Sequence, residues 1–210
     1  MGRLIAILTL GVLVAGCQTT AKPAASPQPS PTPHTAVAAA VLQSGEVPAG
    51  LDQCPGAGPI EAYLTGLAGA DPALASRLTG QWQQLHAAGA LDASIALFTA
   101  DPSACTAQLA ATSKGQAATS LVIVFADEGE ADRAWESGVF GFVPPAPGEL
   151  APGLVRGPDT GLGLSSWTYD RAPVRIACWH RSVFVSLVVF TNLDATAFKS
   201  ATAAVDARLN

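Results

Sequence analysis

Three strand-forming segments follow one another closely near the carboxyl end of the chain. They cover residues 164–169, 173–179 and 183–190, with three residues between neighbouring segments. A crossover between parallel strands needs about a dozen residues or more, so connections this short allow only antiparallel pairing. The segments therefore predict an antiparallel meander, and the rest of the fold has to be compatible with it.

Two helices are predicted upstream of the meander. The first follows Pro59, and its apolar face recurs at the spacing of a helix. The second begins at Asp71-Pro72, an N-cap followed by proline at the first helical position, and ends near Gly89. The apolar face of the first helix consists of Ile60, Tyr63, Leu64 and Leu67.

Two more strands and two more helices complete the predicted elements. Alternation over residues 93–98 and a β-branched run over residues 121–125 predict strands. Asp127-x-x-Glu130 resembles a capping box, and we interpret the acidic residues of this helix start as solvated. The last helix is predicted to begin near Asn192 or Asp194.

The order of these elements, α-α-β-β-α-loop-β-β-β-α, predicts an α+β fold. Its antiparallel sheet has about five strands, and helices cover one face of it. Residues 141–163 contain five prolines and several glycines and are interpreted as a long loop. Residues 37–210 have the length of a single domain.

The amino-terminal segment predicts a bacterial lipoprotein signal. Arg3 precedes an apolar run over residues 4–16, which ends in two small residues followed by Cys17. The run of thirteen residues is shorter than the roughly 20 that a membrane-spanning helix needs. Residues 1–16 are therefore expected to be removed, and Cys17 is expected to carry acyl chains such as palmitate.

A proline-rich linker is predicted between the lipidated cysteine and the domain. Residues 17–36 contain five prolines among Ser, Thr, Gln and Ala, a composition that favours an extended, disordered tether. The lipid would hold the domain at a membrane, on the extracytoplasmic side of the bacterial cell envelope.

Short motifs in three places resemble a group of bacterial secreted lipoproteins that have a small α+β domain. The motifs are Val41-Leu42 with Val47-Pro48-Ala49-Gly50-Leu51, Phe125-Ala126-Asp127-Glu128, and Arg181-Ser182-Val183-Phe184-Val185. The group is uncharacterised, so the resemblance implies a location but no activity. Its domains are similar to PsbP-like and helix-grip folds, which are used for binding, although a fold does not by itself imply a function.

Charge and motif content argue against several classes of partner and cofactor. The chain holds 11 Lys and Arg and 16 Asp and Glu, and removal of Arg3 with the signal leaves a formal charge of −6. Nucleic-acid-binding surfaces are usually basic, so no nucleic acid is expected. The three histidines lie far apart and the cysteines lack CxxC spacing. We therefore predict neither a metal site nor a cofactor.

Three cysteines lie in the predicted domain, and an exported domain is expected to bridge a pair of them. Cys178 lies on one side of a strand with Val174 and Ile176, as a buried thiol would. Cys54 and Cys105 lie beside helices in segments that contain proline. These positions predict a disulfide between Cys54 and Cys105.

The chain concentrates aromatic and basic residues in the meander. Aromatic residues and arginine are enriched at the centres of interfaces, although they also suit a packed sheet and its turns. A ligand surface is expected where the meander meets the loop at 141–163. The candidate binding residues are Trp167, Tyr169, Arg171, Arg175, Trp179 and Arg181.

Two hypotheses for the function follow. The first is a non-catalytic binding or interaction module, whose partner is an unknown envelope protein or a small apolar ligand. The alternative is a cell-envelope hydrolase with a catalytic set that the sequence does not reveal. Gly161-Leu162-Gly163-Leu164-Ser165 does not match the nucleophile elbow G-x-S-x-G. No catalytic residue is predicted, and the binding module is the preferred hypothesis.

Overall fold

The protein, seen in a computed structural model, is described at residues 37–101, 103, 105, 115–149 and 151–209. These residues form five α-helices and eight strands. In chain order the elements are α1 (Val37–Ala40), β1 (Asp52–Gln53), β2 (Gly58–Pro59), α2 (Ile60–Ala70), α3 (Pro72–Ala87), β3 (Ala90–Thr99), β4 (Ala117–Phe125), α4 (Glu128–Ser137), β5 (Leu154–Arg156), β6 (Ser166–Arg171), β7 (Val174–Arg181), β8 (Phe184–Thr191) and α5 (Ala195–Asp206).

All eight strands belong to one antiparallel sheet. Its order is β1-β3-β4-β8-β7-β6-β5, and β2 pairs with β3 as well. The predicted α+β class and the meander β6–β7–β8 are confirmed. The prediction of about five strands was too low, because β1, β2 and β5 have only two or three residues each. Segments so short show no alternation, and β5 lies inside the predicted loop at 141–163.

Helices cover both faces of the sheet, so the prediction of one covered face was wrong. Helices α2, α3 and α4 pack on one face, here called the α3 face, against residues such as Leu121 and Leu187. Helices α1 and α5 pack on the opposite face, here called the α5 face, against Val122 and Phe190. Every residue of β4 and β8 is buried. A continuously buried strand needs cover on both sides.

Three aspartates begin helices α3, α4 and α5, as their positions in the sequence predict. Asp71, Asp127 and Asp194 each accept a hydrogen bond, at 2.8–2.9 Å, from the backbone amide three residues later. These bonds satisfy amides that have no partner within the helix. The capping box predicted for α4 is only half formed, because the Glu130 carboxylate does not accept a bond from the Asp127 amide.

The two ends of the described chain are tied together on the α5 face. Arg208 follows α5 and donates to the carbonyl of Val41 at 3.0 Å and to the carboxylate of Glu46 at 3.0 Å. Burial raises the pKa of Glu46, but hydrogen bonds from Arg208 and from the Gln43 amide outweigh it, and the pKa lies below its usual value. The ion pair therefore fixes the segment after α1 against the end of α5.

A disulfide joins Cys54 and Cys105, which confirms the predicted pairing. The two Cα atoms are 5.7 Å apart, within the usual range for a disulfide. Cys178 is a free, buried cysteine on the α3 face, and burial raises the pKa of its thiol. A thiol that is buried and protonated is a poor nucleophile, so Cys178 is part of the core.

The predicted signal, the lipidation site Cys17 and the linker at 17–36 lie outside the described residues. Within the part of the chain that is described, none of the helices has both the length and the apolar character that crossing a bilayer requires.

Removing the disulfide with the double substitution Cys54→Ala/Cys105→Ala should lower the free energy of unfolding by about 4 kcal/mol. The reason is that a cross-link over 51 residues restricts the unfolded chain. Urea denaturation of the oxidised wild type and of the variant measures the difference. Wild-type protein in a reducing buffer is the control and should lose the same amount. A loss below about 1 kcal/mol would show that the bridge contributes little.

Candidate functional site

The two tryptophans of the meander lie on opposite faces of the sheet. Trp167 pairs with Cys178 and Trp179 pairs with Ser166, so the two indole rings alternate across the sheet. Trp167 is part of the core on the α3 face and is 5% exposed, whereas Trp179 is part of the core on the α5 face and is fully buried. Both rings are packing residues rather than exposed interface residues.

Alternation divides the other four candidate residues in the same way. Tyr169 and Arg171 share the face of Trp167, while Arg175 and Arg181 share the face of Trp179. The six side chains are therefore not gathered into one surface. Alternation within each strand follows from the sequence, but only the register of β6 against β7 places the two tryptophans in different cores.

Two of the arginines are engaged in ion pairs. Arg175 donates from Nε to Asp170 at 2.8 Å and from a guanidinium nitrogen to the carbonyl of Leu193. Arg181 makes two hydrogen bonds of 2.7 Å to the carboxylate of Asp206. Bidentate pairs of this kind are strong and directional. These contacts fasten the meander to α5 and to the turn before it.

A second group of polar residues surrounds Asp132 on α4. Ser165 Oγ donates to Asp132 Oδ1 at 3.3 Å, and His180 Nδ1 lies 3.6 Å from the same oxygen. His180 Nε2 contacts the carbonyl of Ser182. In a Ser-His-Asp triad the imidazole lies between the hydroxyl and the carboxylate. Here the carboxylate lies between the other two groups, so His180 is not placed to take a proton from Ser165.

A hollow of about 450 Å³ lies beside α5, where the loop at 141–163 meets β6. This is the region in which the sequence predicts a ligand surface. Several of its polar groups are already paired within the protein. The hydroxyls of Thr160 and Thr202 donate to backbone carbonyls, and Asp170 pairs with Arg175. These groups have no unmet hydrogen-bonding requirement that a ligand would fill.

A larger groove, of about 720 Å³, lies between the carboxyl-terminal half of α3 and helix α4. The end of α3 is joined to the start of α4 nearby, where the Ala126 amide donates to the carbonyl of Gly89 at 3.1 Å. Its polar lining residues include Gln81, Gln84, Glu130, Arg133 and Ser137.

Two oxygens of this groove are buried without a hydrogen-bond partner, namely Gln81 Oε1 and Glu130 Oε2. Leaving a buried polar group unpaired costs about 1–3 kcal/mol, and folded proteins rarely do so without a reason. Other atoms in this condition, such as Trp179 Nε1 and Ser186 Oγ, lie inside fully buried core residues. The groove therefore differs from the core and from the hollow beside α5, because its unpaired acceptors belong to residues that line an open cavity.

The Glu130 carboxylate is held against the turn between α3 and β3. A Cβ atom at Gly89 would lie 2.1 Å from Glu130 Oε2, and Gly89 also has a positive φ of 102°. The positive φ favours glycine at this position, whereas the contact alone would be relieved by a movement of the Glu130 side chain. The interpretation of Glu130 as a solvated residue of the helix start was thus wrong for Oε2. The sequence contains no signal for this, because Gly89 and Glu130 are brought together only by the sheet.

No group of three or more His, Cys, Asp or Glu side chains is arranged to hold a metal ion among the residues that the structure describes. No protein-family model matches the chain, and a search of curated proteins found no significant match. The assignment of a function therefore depends on the geometry of the groove.

Replacing Trp179 by alanine should lower the free energy of unfolding by about 3–5 kcal/mol, because a fully buried aromatic side chain would leave a cavity. Urea denaturation measures the change. Arg171→Ala is the matched control on the neighbouring strand, and this exposed residue should change stability by less than about 1 kcal/mol. Equal stability of Trp179→Ala and wild type would restore Trp179 as an interface residue.

Proposed function

We propose that this chain is a lipoprotein of the bacterial cell envelope, whose domain binds a ligand without catalysing a reaction. The pattern that ends in Cys17 supports an anchor on the extracytoplasmic side of a membrane, as does the resemblance to secreted lipoproteins. The observation that carries the binding role is the groove between α3 and α4, with its unpaired acceptors Gln81 Oε1 and Glu130 Oε2.

The size and lining of the groove support a small-molecule or peptide site. Its volume of about 720 Å³ lies within the range of about 300–1,000 Å³ that is usual for ligand sites. Phe140 and alanines such as Ala134 supply apolar lining, while side-chain amides, a carboxylate and a guanidinium supply polar groups. A few polar groups on a partly apolar wall are typical of sites that orient a ligand.

The alternative of a hydrolase receives less support from the geometry. Among the described residues, the polar group at Ser165, Asp132 and His180 resembles a hydrolytic site in composition. Its order is different, because the carboxylate contacts both the serine and the histidine. Nucleophilic catalysis requires a base in contact with the nucleophile, so a binding role is the better proposal.

Replacing Cys17 by serine should release the protein from the membrane fraction, because the acyl chains supply the anchor and each buried CH₂ contributes about 0.8 kcal/mol. Fractionation of cells followed by a high-salt wash and immunoblotting measures the distribution. Thr19→Ala is a nearby control that should remain in the membrane fraction. Retention of Cys17→Ser in the washed membranes would contradict the proposed anchor.

Ligand binding is best measured on the full chain in detergent micelles, by nuclear magnetic resonance of the backbone amides of Gly89, Gly138 and Gly141. A panel of probes covers three classes of ligand: the dipeptide Ala-Ala, the neutral sugar chitotriose, and octanoate. At least one class should shift these amides saturably at millimolar concentration. Glu130→Gln should change the response, and Glu128→Gln, on the same helix but outside the groove, should not.

Mass spectrometry of each probe after incubation separates binding from turnover. Unchanged probe with saturable shifts supports the proposal. Conversion of any probe would replace it with the enzyme hypothesis, and the absence of a shift with all three classes would refute the groove as a binding site.

A further inference from the structure

We infer that the groove between α3 and α4 recognises an ammonium group, and that its ligand is a short peptide with a free amino terminus. This inference rests on the proposed binding function and names the class of ligand. It follows from the groups that line the groove and from what each of them lacks.

Two residues of the groove carry hydrogen-bond acceptors that have no donor. Gln81 Oε1 and Glu130 Oε2 are shielded from solvent and receive no hydrogen bond from the protein. A ligand that satisfies both has to bring donors. A carboxylate favours a charged donor, because charge-assisted hydrogen bonds are roughly twice as strong as neutral ones. An ammonium group supplies three donors and one positive charge.

The Glu130 carboxylate lies beside Gly89 and not at the start of its own helix. The sequence offers Glu130 a place in a capping box with Asp127, but the carboxylate does not take it. It lies instead over Gly89, where any side chain would displace it. The carboxylate therefore already lies beside the end of α3, without a hydrogen-bond partner at Oε2, before a ligand arrives.

The carboxyl end of α3 adds negative charge to the groove. The groove is lined by Ala87 and Ala88 at the carboxyl end of this helix. The carboxyl end of a helix carries a partial negative charge of about half an electron. This charge acts in the same direction as Glu130, so this part of the groove attracts a cation.

Arg133 is the residue that could contact the other end of the ligand. Arg133 lies on α4 one turn after Glu130, lines the groove and is exposed. Among the described residues it has no carboxylate within 4.0 Å, and this includes Glu130 itself. A guanidinium among the groove residues favours a carboxylate on the ligand and disfavours a polyamine. A carboxylate and a guanidinium from one groove together match a zwitterion.

A short peptide fits this arrangement better than a metal ion. Among the described residues, no cluster of three ligating side chains is present, whereas Gln81 and Gln84 can exchange hydrogen bonds with peptide groups. The apolar residues Ala134 and Phe140 offer a wall on which small apolar side chains of the ligand can pack.

Three matched probes test the inference on the full chain in detergent micelles: Ala-Ala, N-acetyl-Ala-Ala and Ala-Ala amide. The dissociation constant of each probe comes from the shifts of the backbone amides of Gly89, Gly138 and Gly141. Ala-Ala should bind, and acetylation should weaken binding at least tenfold, because it removes the ammonium charge. Amidation should weaken binding only severalfold. It removes the charge of the ligand carboxylate, but Arg133, the proposed partner of that carboxylate, is exposed.

Substitutions assign these losses to residues. Glu130→Gln should weaken Ala-Ala at least tenfold and leave N-acetyl-Ala-Ala unchanged, and Arg133→Ala should weaken Ala-Ala but not its amide. Gln81→Ala should weaken Ala-Ala, with Gln83→Ala, an exposed neighbour outside the groove, as its control. Circular dichroism identifies any variant that fails to fold, and Glu130 and Gln81 provide independent tests.

Each other result overturns the inference. Equal affinity for acetylated and free Ala-Ala would exclude ammonium recognition, and an unaffected Glu130→Gln variant would exclude its proposed partner. Shifts of these three glycine amides with chitotriose or octanoate, but not with Ala-Ala, would overturn the inference and leave the proposed binding function in place. No shift with any probe would refute both.

Discussion

Burial of β4 and β8 on both sides is the constraint on which the rest of the structure depends. Adjacent residues of β4, such as Leu121 and Val122, belong to the cores on opposite faces. Apolar burial of this kind contributes about 25 cal/mol per Å², and it leaves no solvated face for polar side chains. The polar residues of β6 and β7 therefore have to pair near the edge of the sheet or with α5. Arg175 and Arg181 do so.

Much of the fold could be predicted because its signals are local. Asp71 and Asp127 act on amides three residues away, so the sequence alone marks the helix starts. The strands of the meander are identified by the short gaps between them. The edge strand β5 has three residues and no pattern, and it exists only because β6 offers free backbone groups. The second covered face could not be predicted, because a continuous apolar run indicates burial but does not show which helices cover each side of the strand.

Less of the candidate site could be predicted, because its geometry depends on contacts between distant segments. Trp167 and Trp179 have the composition of an interface, and only the register of β6 against β7 shows that they point into two cores. Asp206 pairs with Arg181 across 25 residues. Glu130 resembles an ordinary residue at the start of a helix until Gly89 is placed beneath it. Composition identifies which residues are capable of binding, whereas folding decides which of them are left without a partner.

The separation of the two helical layers also fixes how the domain can be held. Helix α1, where the described chain begins at Val37, packs with α5 on one side of the sheet. The groove between α3 and α4 opens in the layer on the other side. The thickness of the sheet thus stands between the entry of the chain and the groove. Immobilising the domain by its amino-terminal end, on a sensor chip or on a particle, leaves the groove accessible without any reorientation of the domain.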